Sequence, residues 1–182
     1  MKKVAVLALQ GAFIEHEQVL QKLGVDTVEI RQLSDWQQGR WDALILPGGE
    51  STVQMRLLHE LGLFEPIRKA ISDGLPVLGT CAGMILTDGY LGTMHIRVRR
   101  NAYGRQLGSF HTIGTVDGIG TDVPMTFIRA PYIEEILSDD CKAIATVDGH
   151  IVAARQGNQI ATAFHPEFDE DLRLHQFLID MI

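Results

Sequence analysis

"LPVLGTCAGMIL", residues 75–86, decides the fold. Its first half is apolar without alternation, the pattern of a strand buried on both faces. After a short glycine-bounded turn the apolar residues resume and open a helix. A strand that runs directly into a helix is a unit of an α/β sheet. The stretch also carries chemistry. Cys81 stands between Gly79 and Gly83, the context of a G-x-nucleophile-x-G elbow, where flanking side chains would clash. The sulfur then projects from the C-terminal edge of the strand, where ligands sit in open α/β sheets. A helix N-terminus beside it favours the thiolate. A buried cysteine in a glycine-rich connection is the structural alternative, because cysteine is among the most buried residue types.

Towards the N-terminus the same alternation repeats. "VAVLAL" (4–9), "VDTVEI" (25–30), "ALILP" (43–47) and "PVLGT" (76–80) read as strands, separated by helical patterns over 12–23, 53–63 and 64–73. Gly24 closes the first helix. Towards the C-terminus the texture changes. "HIRVRR", "TIGTV", "MTFIRA", "AIATV", "HIVAAR" and "QIATAF" are short strand candidates divided by turns, and Asp148-Gly149 suits a tight hairpin. Residues 169–182 read as a closing helix. The expected fold class is α/β: a single three-layer domain over residues 1–182, with a mainly parallel central sheet, flanking helices and an added antiparallel portion.

Composition sets outer limits. The chain has 182 residues, 46% hydrophobic and 21% charged, which suits one compact globular domain. A formal net charge of −7 argues against nucleic acid or an anionic membrane as the main partner, with "RVRR" (97–100) one small candidate for a local basic patch. No apolar run approaches the roughly 20 residues of a spanning helix. "MKKVAVLALQGAF" starts like a signal peptide, but Gln10 interrupts it and acidic residues follow closely, so a buried first strand explains it better. The two cysteines, Cys81 and Cys141, form no disulfide framework and no zinc-ligand spacing. A reducing, cytoplasmic setting is expected.

A thiolate nucleophile needs a base, and the base needs an orienting partner. Among seven histidines, His16, His59 and His175 fall in helical patterns with charged neighbours and read as solvated. His95, His111 and His150 fall in short strands or turns. His165 ends the strand "QIATAF" and begins "HPEF", where Pro166 fixes the backbone. In an extended segment His165 and Glu167 project to the same side, so the carboxylate can hold the imidazole in one tautomer. A strand ending in exposed polar residues is the alternative. The third piece is "LPGGES" (46–51), where a strand ends and glycine N–H groups are free to face a ligand. Gly49 and Ala82 supply the natural pair of oxyanion donors, and Ser51 or Thr52 caps the next helix. An ordinary βα loop is the structural alternative.

The order PGGES, GTCAG, HPE resembles that of the class I, or triad, glutamine amidotransferases. "LALQGAFIEH" (7–16), "LPGGEST" (46–52), "RRNAYGRQ" (99–106), "FIRAP" (127–131) and "FHPE" (164–167) narrow the resemblance to the glutaminase subunits of pyridoxal 5′-phosphate synthase. It runs from residue 4 to the last helix. It implies Cys81 as nucleophile, His165 as general base and acid, and Glu167 as its partner. It further implies Gly49, Glu50 and Ser51 lining the glutamine site, with Arg100, Ile128 and Arg129 reaching the substrate. As isolated residues, Arg100 and Arg129 would read as surface charges. The segment from Cys81 to Arg100 is short for this family, which predicts a compressed loop after the elbow helix. The implied reaction is hydrolysis of L-glutamine to glutamate and ammonia, without metal or organic cofactor. The ammonia would go to a separate synthase subunit that makes pyridoxal 5′-phosphate. Another cysteine hydrolase on a similar fold, such as a peptidase or deglycase, is the enzymatic alternative. A non-catalytic regulatory subunit is the other.

Overall fold

Four runs of the N-terminal half become four parallel strands, of which Lys3–Leu7, Ala43–Leu46 and Val77–Thr80 are buried along most or all of their length and the edge strand Asp26–Ile30 is only partly covered. The computed structural model describes residues 1–100 and 109–182. In chain order the first half runs β1 (Lys3–Leu7), α1 (Phe13–Lys22), β2 (Asp26–Ile30), α2 (Leu33–Gln37), β3 (Ala43–Leu46), α3 (Ser51–Glu60), α4 (Phe64–Ser72), β4 (Val77–Thr80) and α5 (Ala82–Ile85). A π-helical turn, Leu86–Tyr90, extends α5. The second half gives β5 (Ile96–Arg99), β6 (Ser109–Val116), β7 (Gly120–Ile128), β8 (Tyr132–Ile136), β9 (Cys141–Val147), β10 (His150–Gln156), β11 (Gln159–Thr162), a 3-10 turn Pro166–Phe168 and α6 (Arg173–Ile179).

The main sheet has the order β2-β1-β3-β4-β11-β10-β8-β5, with β9 also pairing with β10. β2, β1, β3, β4 and β11 are parallel, and β10, β8, β5 and β9 join antiparallel. A separate hairpin, β6–β7, forms a second small sheet. This is the expected α/β arrangement with an added antiparallel portion. β2 and β3 flank β1 on opposite sides, so the chain reverses its direction of travel at β1 and β3. That switch point opens a crevice at the C-terminal strand ends. The Asp148-Gly149 hairpin is present, and both residues have the positive φ, 50° and 79°, that its tight turn requires.

Strand alternation divides the core into two layers. Val4, Val6, Ala43, Ile45 and Leu78 face one layer, where Leu20 of α1, Leu174 and Leu178 of α6, and Val123, Met125 and Phe127 of β7 cover them. Ala5, Leu7, Leu44, Leu46 and Val77 face the other, beneath Leu58 of α3 and Ile67 and Ile71 of α4. Full burial of such a side chain stabilises by roughly 1.5–3 kcal/mol. Among the described residues no helix is long and apolar enough to cross a membrane.

Sequence expectations change at His16, at His175 and at the cap of α3. His16 and His175 are wholly buried rather than solvated. The reason is that α1 and α6 cover the same sheet face, so their inward sides meet. His59 is exposed, stacked on Phe64 with ring centroids 4.2 Å apart. Glu50, not Ser51 or Thr52, caps α3, its side chain accepting from the Thr52 N–H at 3.4 Å. The short helix α2 and the strand β8 have no counterpart in the sequence reading. α2 is held by a Gln32–Asp35 capping box, and β8 carries paired exposed glutamates that break its apolar alternation.

Candidate active site

The elbow at the end of β4 has the geometry its sequence implies. Cys81 takes φ 52° and ψ −104°, a conformation that side-chain-bearing residues rarely adopt and that costs about 1–3 kcal/mol. The surrounding packing imposes it. A Cβ on Gly83 would lie 1.9 Å from the Leu46 carbonyl oxygen, and one on Gly79 would lie 2.7 Å from that of Gly83. Glycine is therefore required on both sides, and the two backbones close on each other. The Cys81 N–H donates to the Thr162 carbonyl of β11 at 2.7 Å. Its sulfur lies 4.0 Å from the Ile128 carbonyl oxygen. As the first helical residue, Ala82 has an N–H without an intrahelical partner.

β11 is the next strand in the sheet, and it delivers His165 beside the elbow. The His165 N–H donates to the Thr126 carbonyl at 2.8 Å, which ties the segment to β7. His165 Nδ1 lies 2.6 Å from Glu167 Oε1, with both side chains buried. Burial opposes a charge on this imidazole, but hydrogen bonds to Cys81 and Glu167 outweigh it and raise its pKa to about 10. The ring stands between sulfur and carboxylate, and both partners favour its charged form. Burial raises the pKa of the Glu167 carboxyl, and the bond and charge of His165 offset only part of the rise. The ring packs directly on the β3 loop: a Cβ on Gly48 would lie 2.3 Å from His165 Cε1. Cys141 is different. It is buried in β9, and burial raises its thiol pKa. That burial, rather than the neighbouring aspartates, is the main cause.

These groups border a cavity of about 650 Å³. Gly49, Glu50, Ser51, Ala82, Arg100, Ile128 and Arg129 line it together with Cys81 and His165. Glu167 stands behind His165. Arg129 occupies a left-handed turn, φ 46°, between buried Phe127 and buried Ala130, so its side chain leaves the core at the cavity wall. After the elbow helix the chain turns sharply. It kinks at Asp88, whose carboxylate accepts the Val98 N–H at 2.9 Å and draws β5 against the turn. This brings Arg100 to the cavity, where it donates to Ser51 Oγ and to the Tyr90 hydroxyl (3.1 Å) and lies 3.8 Å from Glu50 Oε1. The rest of the "RRNAYGRQ" marker, residues 101–106, lies outside the described residues.

Gln10 also lines the cavity, and the sequence reading gave it no role there. Gln10 follows β1, and its Oε1 accepts the Glu50 N–H at 2.7 Å. Gln54 fastens the same loops by donating to the carbonyls of Gln10 and Pro47 at 3.0 and 3.1 Å. A polar residue at the C-terminal end of a fully buried strand was the available signal. The remaining histidines stand apart from the sulfur: His95 contacts Ser138 at 2.8 Å, and His111 contacts Asp169 at 3.4 Å.

Comparison with known proteins shows the family of the chain. Residues 6–182 match the SNO glutamine amidotransferase family. The pyridoxal 5′-phosphate synthase subunit PdxT of Streptococcus pneumoniae (strain CGSP14) is 52% identical over 189 residues, covering 98% of this chain and 96% of that one. Its counterpart from Methanocorpusculum labreanum is 54% identical over 187 residues, covering 99% and 97%. A crystal structure described as a glutamine amidotransferase superposes with a TM-score of 0.89 at 39% identity, covering 98% of this chain and 97% of that chain. The PurLQS structure from Thermotoga maritima, at 18% identity and a TM-score of 0.63 over 98% of either chain, shares the fold alone. The chain belongs to the SNO glutamine amidotransferase family and is a glutamine-hydrolysing enzyme.

Proposed function

We propose that the chain hydrolyses L-glutamine to glutamate and ammonia through Cys81, His165 and Glu167, and that a separate synthase subunit consumes the ammonia to build pyridoxal 5′-phosphate. The observation that carries the chemistry is the buried His165 Nδ1–Glu167 Oε1 contact of 2.6 Å, with the imidazole also bonded to a sulfur on a strained elbow. The names of the relatives, pyridoxal 5′-phosphate synthase subunits, support the destination of the ammonia.

In this mechanism the Cys81 thiolate attacks the side-chain amide carbon. The carbonyl oxygen becomes an oxyanion facing the Ala82 and Gly49 N–H groups. A single such donor contributes about 3–4 kcal/mol in comparable sites. His165 gives its Nε2 proton to the amide nitrogen, ammonia leaves, and a glutamyl thioester remains on Cys81. Water then loses a proton to His165 and attacks the thioester, which releases glutamate and restores the ion pair. Glu167 keeps the Nδ1 proton in place throughout. Arg100 is placed to meet the substrate α-carboxylate and Glu50 its α-ammonium, by charge. Ile128 and Arg129 form the opposite wall. Free ammonia at neutral pH is mostly ammonium and poorly nucleophilic, so a docked acceptor is chemically required for efficient transfer. A free thiol nucleophile suits a reducing, cytoplasmic setting, and both cysteines are unpaired.

The test is a glutaminase assay on the wild-type chain and on Cys81→Ala, with and without purified synthase subunit. Glutamate release that depends on Cys81 supports the reading. Turnover of peptide or glycated substrates in place of glutamine overturns it.

A further inference from the structure

Behind Glu167, on the side away from His165, lie two histidines to which the mechanism gives no task. His16 of α1 and His175 of α6 are both 0% exposed. His16 Nδ1 lies 2.8 Å from His175 Nε2. His16 Nε2 lies 3.2 Å from Thr80 Oγ1, one residue before the elbow cysteine, and 3.5 Å from Glu167 Oε2. Among the described residues no group of three or more His, Cys, Asp or Glu side chains has a geometry for a metal ion. The contacts are therefore those of a hydrogen-bond chain.

Both rings are neutral. Burial, then His175 and His165, hold the His16 pKa well below its ordinary value, and burial lowers that of His175 to about 4. Each ring has one proton, so the chain has two possible directions. In one, His16 donates from Nδ1 to His175. Its Nε2 lone pair then faces the Glu167 carboxylate, and His175 must carry its own proton on Nδ1, which is buried without a partner. An unpaired buried donor costs about 1–3 kcal/mol, and the opposed lone pairs add to that. In the other direction His175 donates from Nε2 to His16 Nδ1. The His16 Nε2–H then points at Thr80 Oγ1 and Glu167 Oε2, and only an acceptor, His175 Nδ1, is left over. Glu167 Oε2 otherwise has no hydrogen bond among the described residues. The second direction satisfies the carboxylate and avoids the orphaned donor.

We propose that His16 is a positioning residue of the site: its Nε2–H holds Glu167 Oε2, so that Oε1 stays aimed at His165, while His175 selects the tautomer that makes this possible. The inference rests on the Cys81–His165–Glu167 reading and extends it two residues inward. The other ionisable groups facing this chain are Cys81 at the elbow and Glu15 of α1. Beyond Thr126 of β7 stand Asp169 and His111. Loosening Glu167 weakens its support of the His165 imidazolium. The Cys81 sulfur then loses part of the positive charge that favours its reaction with electrophiles.

The experiment follows the rate of Cys81 alkylation by iodoacetamide against pH, together with kcat and KM for glutamine in the presence of the synthase subunit. It compares wild type, Glu167→Gln, His16→Leu, His16→Gln and His16→Asn. His16→Leu should move the alkylation midpoint to higher pH, in the direction of Glu167→Gln. It should lower kcat about tenfold or more with KM within about twofold. His16→Gln, whose amide reaches the Nε2 position, should recover most of the loss, and the shorter His16→Asn should not. If His16→Leu does not fold, the Gln–Asn contrast decides. Equal profiles for those two variants overturn the proposal. So does a wild-type profile in His16→Leu while Glu167→Gln is shifted, which leaves the triad intact. An unshifted Glu167→Gln overturns the triad reading itself, and this inference with it.

Discussion

Cys81 and Cys141 are both buried, yet their surroundings point to opposite behaviour. Cys81 stands at a cavity wall beside His165, whose charged form its partners favour, whereas Cys141 is held in a strand, where burial raises its pKa. A glutamine-analogue diazo-ketone should therefore label Cys81 alone. Mass spectrometry finding the adduct on Cys141 would contradict the assignment. Glu167→Gln should lower kcat at least about 100-fold, because the wrong His165 tautomer becomes available, with the far-UV spectrum unchanged. The same change should alter the pH dependence of stability. The His165 pKa rises from 6.5 to about 10 on folding, so the folded state binds more protons than the unfolded one between these values. Its contribution is fully present below pH 6.5 and is lost as pH rises through 10. Urea denaturation at pH 6.5 and 9.5 should show a decline in wild type that is smaller in Glu167→Gln. Equal declines would mean that the imidazolium is held by other groups.

At the level of the elements, the strand–elbow–helix unit depends on two backbones in contact. Gly83→Ala would drive a methyl to 1.9 Å from the Leu46 carbonyl, and overpacking of this kind costs about 1–3 kcal/mol or more. Gly89→Ala meets nothing within 4 Å and should stay within about 1 kcal/mol of wild type in the same denaturation assay. Similar losses in both would show that the elbow tolerates displacement. The elbow was legible in the sequence because a glycine pair around a cysteine, between a strand and a helix, has few other uses. The His165–Glu167 pair was legible because an extended segment fixes which side chains share a side. His16 and His175 were misread, since a helix pattern does not tell which charged-neighbour positions another helix will cover. Their burial depends on α1 and α6 sharing one sheet face, a relation between residues far apart in the chain. Gln10 was read as an interruption of an apolar run and as part of a family marker, with no role in the site, because its partner, the Glu50 N–H, comes from a loop that the fold brings alongside. β8 was invisible because a strand at its place in the antiparallel half needs only partial burial, so Glu134 and Glu135 face outward.

On the scale of the whole molecule, the cavity opens beside exposed apolar side chains. Ile128 and Phe168 line it and are 42% and 44% exposed, and Ile14, on the first turn of α1, is 51% exposed. A docked synthase subunit would cover them. The Ala12 N–H also donates to the Gly48 carbonyl at 3.0 Å, so pressure on α1 would reach the peptide that carries the Gly49 N–H. Glutaminase kcat should be low for the free chain and rise at least about tenfold with saturating synthase. Equal values would defeat activation and leave the triad untouched. The strand order has a further consequence, for the chain while it is being made. β11, which carries His165, is inserted between β4 and β10 in the middle of the sheet. Until residues 159–162 leave the ribosome, β4 has an open, apolar edge, and the thiol of Cys81 has no imidazole beside it. Synthesis thus yields a chemically silent thiol on a sticky half-sheet, which a strand made late both seals and arms. Nascent chains arrested at residue 158 should bind a holdase chaperone and resist the diazo-ketone. Chains arrested with residue 182 well clear of the exit tunnel should do the reverse, and labelling of the shorter chains would show that reactivity does not wait for His165.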